Sequence, residues 1–171
     1  TYTKKVETMI RHDKTYEVEL TLGATSTTGD QEGVITTIKA DSTSLGIVSD
    51  VLASFIGEQM QTPPAFSAIK VDGKRAYDLA RAGKEVKLEP RRVTINSIGN
   101  ISYDWPKVCF TADVSSGTYI RSLATDIGEK LGTGAFMSEL RRIKVAEYAI
   151  KDALSVDQLI VEYIHERIQQ N

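Results

Sequence analysis

Two residues with chemical capability close the run Ser115-Ser116-Gly117-Thr118-Tyr119-Ile120-Arg121. Tyr119 offers a flat ring with a hydrogen-bonding hydroxyl, and Arg121 a permanent positive charge carried on a planar fork of donors. A strand-like run, Val108 to Val114, leads in, and Ile120, Leu123, Ile127 and Leu131 lead out at helical spacing. Ser115, Ser116 and Gly117 suit the sharp corner between them, because glycine accepts backbone angles that other residues avoid. Residues at such a corner are held by rigid elements yet face outward, as site residues must. Taken alone, the stretch favours a plainer alternative: a core tyrosine and a solvated helix start.

Basic residues provide the second chemical signal. Lys70, Lys74, Arg75, Arg81, Lys84, Lys87, Arg91 and Arg92 crowd one stretch beside Phe66 and Tyr77, and Arg141, Arg142 and Lys144 form a later group. Cations interleaved with aromatic rings suit a phosphate backbone with unstacked bases. Each group by itself also fits a solvated face. Asp30 and Glu32, with Thr25 and Thr27, lack the alternating acidic ligands of a calcium loop. Asp30 is better placed to tie down its own loop through side-chain to backbone bonds. His12 and His165 stand near opposite ends, which leaves no histidine spacing for a metal. Neither the P-loop nor the dinucleotide fingerprint is present.

Composition narrows the class. With 171 residues the chain can bury a proper core as one large domain or two small ones. No apolar run approaches the roughly 18 residues of a membrane helix, and Thr1 to Lys14 is too polar for a signal peptide. The single cysteine, Cys109, rules out a disulfide framework and reads as a buried small hydrophobe in a reducing, cytoplasmic setting. Lysine and arginine total 21 against 23 acidic residues, a net charge of −2, so an RNA binder must gather its cations on one face.

The elements that must position these groups follow from periodicity. Val6, Met9 and Ile10 mark a helix tail over Thr1 to Asp13, without a start signal. Lys14 to Leu22 alternates strictly, with Tyr16, Val18, Leu20 and Leu22 on one face, which predicts a strand. Gly23 to Gly33 reads as a loop and Val34 to Ala40 as a strand. Asp41 to Ser44 offer helix caps before Leu45, Val48, Leu52 and Phe55. Gln61-Thr62-Pro63-Pro64 breaks regular structure. Ala65 to Val71 reads as a short strand, Asp72-Gly73 as a hairpin turn and Ala76 to Ala82 as a short helix. Arg92 to Ile101 and Ser138 to Ile150 read as strands, with a closing helix from Ser155 to about Gln169. Strands joined both by turns and by helices predict an α+β fold, a mixed and largely antiparallel sheet flanked by helices.

Five stretches, in order, resemble one family: the bacterial TruB-type tRNA pseudouridine synthases. Lys14-Thr15-Tyr16 resembles its Lys-x-Tyr strand, and Gly23 to Asp30 its Gly-x-x-Thr-x-Thr-x-Asp loop. Pro63-Pro64-Ala65-Phe66-Ser67-Ala68-Ile69-Lys70, running on through Gly73, Tyr77 and Arg81, resembles its Pro-Pro-x-Tyr-Ser-Ala-x-Lys stretch. Gly117 to Arg121, then Gly134-Ala135 with Leu140-Arg141-Arg142, complete the set. The resemblance implies the pseudouridine synthase catalytic-domain fold and isomerisation of the T-loop uridine (position 55) of tRNA, flipped into a pocket. It implies no cofactor and no metal. An aspartate would act as nucleophile, with Arg121 matching the arginine that pairs with it. Tyr16 matches the tyrosine that stacks on the uracil, Tyr119 and Leu140 match residues that wall the pocket, and Asp30 matches an acid beside the extruded nucleotide. Lys70, Lys74, Arg75, Tyr77 and Arg81 match the part that grips the T-arm, and Arg141 stands in the last matching motif.

The departures shape the expectation. The family's nucleophile sits in a Gly-Thr-Leu-Asp-Pro motif upstream of the Lys-x-Tyr strand, and no aspartate here has those neighbours. The 171 residues are therefore expected to be part of a catalytic domain, without the upstream aspartate segment or the C-terminal RNA-binding (PUA) domain, and inactive alone. The missing segment would be a partner in the reaction. The alternative is a non-catalytic tRNA-binding or folding module of the same fold. Phe66 replaces the usual tyrosine, and Phe136 stands where histidine is common.

Overall fold

The computed structural model describes residues 11–71, 73–158 and 160. The expected N-terminal helix tail and closing helix fall largely outside these residues, as does Asp72 of the expected hairpin turn. In chain order the elements are β1 (Lys14–Leu22), β2 (Ala24–Ser26), β3 (Ile35–Thr37), α1 (Leu45–Ala53), β4 (Gly57–Gln61), β5 (Lys70–Val71), β6 (Lys74–Arg75) and α2 (Ala76–Arg81). There follow β7 (Arg91–Asp104), β8 (Lys107–Val114), α3 (Ile120–Leu131), β9 (Ala135–Val145) and β10 (Tyr148–Ala149).

Six strands form one sheet in the order β10-β9-β1-β8-β7-β4, every neighbouring pair antiparallel. Strand alternation separates its faces. Val18, Leu20 and Leu22 of β1, Val108, Phe110, Ala112 and Val114 of β8, and Ile95 of β7 all point into one core. On that side α1 contributes Val48 and Leu52, and α3 contributes Ile120, Leu123, Ala124 and Ile127. Each large side chain buried there, such as Leu52 or Ile127, contributes about 1.5–3 kcal/mol. The expected α+β architecture is the one observed. Ser44, among the expected caps, starts α1 by accepting the Ile47 N–H at 3.3 Å.

Several expectations shift. β4 was not legible, since Gly-Glu-Gln-Met-Gln has no β-branched residue; it forms by pairing along β7 at the sheet edge. Only Lys70–Val71 of the expected Ala65 to Val71 strand is extended in a ladder, and only Ile35–Thr37 of Val34 to Ala40. The expected strand from Ser138 to Ile150 begins earlier, at Ala135, and is broken at Ala146, whose φ of +50° turns the chain into β10. Cys109 is not a core residue. Its neighbours Val108 and Phe110 point inward, so its thiol faces the outer, polar side of β8, 3.8 Å from Glu19 Oε2. Partial burial, together with the Glu19 charge, pushes that thiol's pKa up. Phe136 is buried within β9.

Candidate active site

The corner after β8 is stitched to β7. The Ser115 N–H donates to the Thr94 carbonyl, and the Thr94 N–H donates back to Ser115 Oγ, both at 2.8 Å. Thr118 Oγ1 then donates to the Ser115 carbonyl at 2.9 Å, closing a turn in which Gly117 takes a φ of +90°. That conformation favours glycine. Tyr119 remains extended, and its carbonyl accepts the Leu123 N–H at 3.1 Å, opening α3.

Arg121, in the first turn, clasps two segments, the β2–β3 loop and the stretch that follows Pro64. Its Nη1 donates to Asp30 Oδ2 at 3.0 Å and to the Thr28 carbonyl at 3.3 Å, and its Nη2 donates to the Phe66 carbonyl at 2.7 Å. Asp30 is held in turn: its Oδ1 accepts the Thr28 hydroxyl at 2.5 Å and the Glu32 N–H at 3.1 Å. The side chains are only 22% and 16% exposed, so the pair is well shielded and worth more than a surface contact. The β2–β3 loop can come this close because residue 29 is glycine. At φ +77°, an added Cβ would lie 3.2 Å from Arg121 Cβ. The loop is also pinned to β9, where the Met137 N–H donates to the Gly29 carbonyl at 2.9 Å and Gln31 Nε2 donates to the Ser138 carbonyl.

Beside the clasp lies a cavity of about 510 Å³, lined by Arg121, Asp30, Phe66, Ser67, Tyr77 and Arg81, among others. Ser67 is 4% exposed, and among the described residues its hydroxyl has no hydrogen-bond partner. On the adjoining β5–β6 hairpin Lys70, Lys74 and Arg75 are all exposed. Arg75 Nη1 donates to the Tyr77 hydroxyl at 2.9 Å, and the Arg75 and Arg81 guanidinium carbons lie 5.8 and 5.5 Å from the Tyr77 ring centre. A ring flanked by two cations is a preformed cation–π arrangement beside the cavity.

The remaining expected residues divide between the sheet faces. Tyr16 packs against the core on the helix side, opposite Ala112 of β8 and Arg142 of β9. Leu140 lies across from Val18 and so shares that side, while remaining 41% exposed. Arg141 does not join them. It pairs with Glu17 on the opposite face, because neighbouring strand residues alternate. Arg121 also differs from expectation: its carboxylate partner here is Asp30, a residue of this chain. Phe66 keeps its ring at the cavity and contributes a carbonyl to the clasp.

Sequence reasoning missed Gln61, which joins β4 to Tyr119, and gave no role to Thr28 or Ser67. Thr28 was within reach, since it sits in the quoted Thr-rich loop two residues before Asp30. Gln61 carried no chemical signal. Among the described residues no three His, Cys, Asp or Glu side chains gather as a metal site, and no helix is long and apolar enough to cross a membrane.

The fold places the chain in a known structural class. It superposes on a chain in the crystal structure of a Cbf5-Nop10-Gar1 complex with a TM-score of 0.72, at 24% identity over 99% of this chain and 41% of that one. A structure of an H/ACA RNP bound to a substrate RNA containing 2′-deoxyuridine gives 0.66, at 22% identity over 99% and 40%. These likenesses show the shared fold. The model of the TruB family pseudouridylate synthase N-terminal domain matches residues 1–120, and that of the tRNA pseudouridylate synthase B C-terminal domain matches 121–170. The chain belongs to the TruB family. It is 43% identical over 157 residues to tRNA pseudouridine synthase B of Burkholderia mallei, covering 92% of this chain and 52% of the relative. The Aquifex aeolicus protein of that name is 42% identical over 149 residues, covering 86% and 52%. The chain thus spans about half the length of the curated relatives it matches. The boundary at 120/121 is not structural: it crosses the first turn of α3, and β9 from the second stretch pairs with β1 from the first.

Proposed function

We propose that this chain is part of a tRNA pseudouridine synthase that isomerises the T-loop uridine (position 55) after flipping it from the folded arm. The reaction breaks the bond from N1 of uracil to the ribose and rebuilds it at carbon 5, which releases the carbon-5 proton. The nucleophile is an aspartate supplied from outside these 171 residues, and neither metal nor cofactor takes part. The carrying observation is the Arg121 clasp. A shielded guanidinium, held at Nη1 and Nη2 by Asp30 and two carbonyls, is preorganised before any RNA arrives. Among the described residues its Nε–H has no partner, which leaves a donor to orient the incoming carboxylate.

Tyr16 and Leu140 share the helix side of the sheet with Arg121, consistent with a uracil stacked on the tyrosine ring. Tyr119 stands at the N-cap position of the helix that carries Arg121, and in this reading its ring would wall the space taken by the flipped base. Lys70, Lys74, Arg75, Tyr77 and Arg81 form the surface that meets the T-arm backbone and its unstacked bases. Arg141 would meet RNA only from the other face of the sheet. The protein works in the cytoplasm, where its tRNA substrate resides.

The test is tritium release from a T-arm stem-loop whose uridine is tritiated at carbon 5. The chain alone should release none, and adding the aspartate-bearing segment should restore release. RNA binding without release, even with that segment present, would favour a tRNA-folding module instead. Pseudouridine formed by the 171 residues alone would mean that another carboxylate serves.

A further inference from the structure

Gln61, the last residue of β4, is a buried amide, 2% exposed, and both of its polar ends reach the backbone of Tyr119. Its Oε1 accepts the Tyr119 N–H at 2.8 Å, and its Nε2 donates to the Tyr119 carbonyl at 3.1 Å. A side-chain amide carries a donor and an acceptor side by side, so it can pair with one residue as a neighbouring strand would. Tyr119 needs such support. It stands at the N-cap of α3, where serine, threonine or aspartate would usually bond the first turn, and its own side chain makes no capping bond.

The segment after Gln61 transmits the grip. Pro63 and Pro64 stiffen the chain, the Ser122 hydroxyl donates to the Thr62 carbonyl at 2.8 Å, and Arg121 reaches the Phe66 carbonyl. The Gln61 bonds act on the one backbone unit that fixes where α3 begins, and Arg121 lies two residues beyond it. We infer that Gln61 is a positioning residue: by gripping Tyr119 from the edge strand it sets the place of Arg121 in the site. The inference rests on the pseudouridine synthase reading given above.

Two substitutions test it in the protein supplied with its nucleophilic aspartate. Gln61→Leu removes both bonds at similar size. Displacing Arg121 should slow single-turnover tritium release about 10- to 100-fold while RNA affinity stays within about twofold. Gln61→Glu gives a signature that a merely structural role would not. Burial raises a carboxyl pKa, so the variant should be largely ionised and repel the Tyr119 carbonyl at about pH 8, and be protonated and able to donate at about pH 6. Its rate relative to wild type should therefore recover about tenfold as pH falls over that range. Equal losses of rate, affinity and thermal midpoint, or a Gln61→Glu profile parallel to wild type, would overturn the inference. A third readout needs no turnover: the Tyr119 amide should exchange with solvent at least about tenfold faster in Gln61→Leu. If wild type proves inactive, the functional reading fails, and this exchange still decides the clamp. Unchanged exchange overturns it.

Discussion

Two ion pairs, the shielded Arg121–Asp30 on the helix side and the more exposed Lys107–Glu19 on the outer face, are built in opposite ways. Lys107 and Glu19 sit on adjacent strands, β8 and β1, and meet because the sheet register brings them together. Ser138 of β9, the strand on the other side of β1, donates to Glu19 as well, at 2.8 Å. Arg121 and Asp30 share no ladder. One starts a helix and the other ends a tight turn of a loop, and their contact depends on Gly29, Gln61 and the Phe66 carbonyl together. A strand-borne pair can be supplied by regular structure alone. A loop-borne pair must be held by several segments, and in return it can line a cavity and present a charge to a ligand.

The largest expected effect breaks the loop-borne pair. Arg121→Ala should abolish tritium release, a loss of about a thousandfold or more, because an electrostatic group at the reacting centre is removed. Folding should suffer far less, by about 1–3 kcal/mol in denaturant titration, since Asp30 keeps its Thr28 and Glu32 bonds. Equal losses of activity and stability would return Arg121 to a structural role. Gly29→Ala should come next. It strains a φ of +77° and pushes the loop off Arg121, so thermal unfolding should register about 1–2 kcal/mol, with activity falling alongside. Unchanged activity would show that the pair tolerates a looser fit.

Replacing Lys70 and Arg75 together by alanine should leave folding intact, because both are exposed. RNA affinity should drop, and the slope of log K against log salt should shrink by about one for each phosphate that is no longer neutralised. An unchanged slope would remove the hairpin from the RNA interface. The smallest effect belongs to the strand-borne pair. The Lys107 ammonium, and then the Ser138 hydroxyl, hold the Glu19 carboxyl below its ordinary 4.5. A depressed carboxyl pKa adds stability that is present above the unfolded value and lost as pH falls through the folded one. Glu19→Gln should therefore slightly lower the thermal midpoint at neutral pH and flatten its decline in acid, without slowing isomerisation. A steep acid decline in the variant would assign that loss to other carboxylates.

Much of the framework was legible because its signals are local. The alternation of Tyr16, Val18, Leu20 and Leu22 marked the central strand, and Leu123 and Ile127 marked the buried side of α3. The ordered motifs also singled out Asp30 and Arg121 as site residues. Their pairing was not legible, since nothing local links positions 91 residues apart. Nor was β4, whose composition argues against a strand and which exists only by leaning on β7. Arg141 shows the reverse failure. It stands next to Leu140 in a motif, yet the two-residue period of a strand sends the neighbours to opposite faces.

By itself, the sequence determined the fold class, the inward face of β1 and the family, because hydrophobic period and motif order are read along the chain. Only the tertiary structure decided which groups meet: Asp30 with Arg121, Gln61 with Tyr119, and Tyr77 between two arginines. These pairings join loops and element ends, where geometry depends on how distant strands and helices pack and not on local propensity.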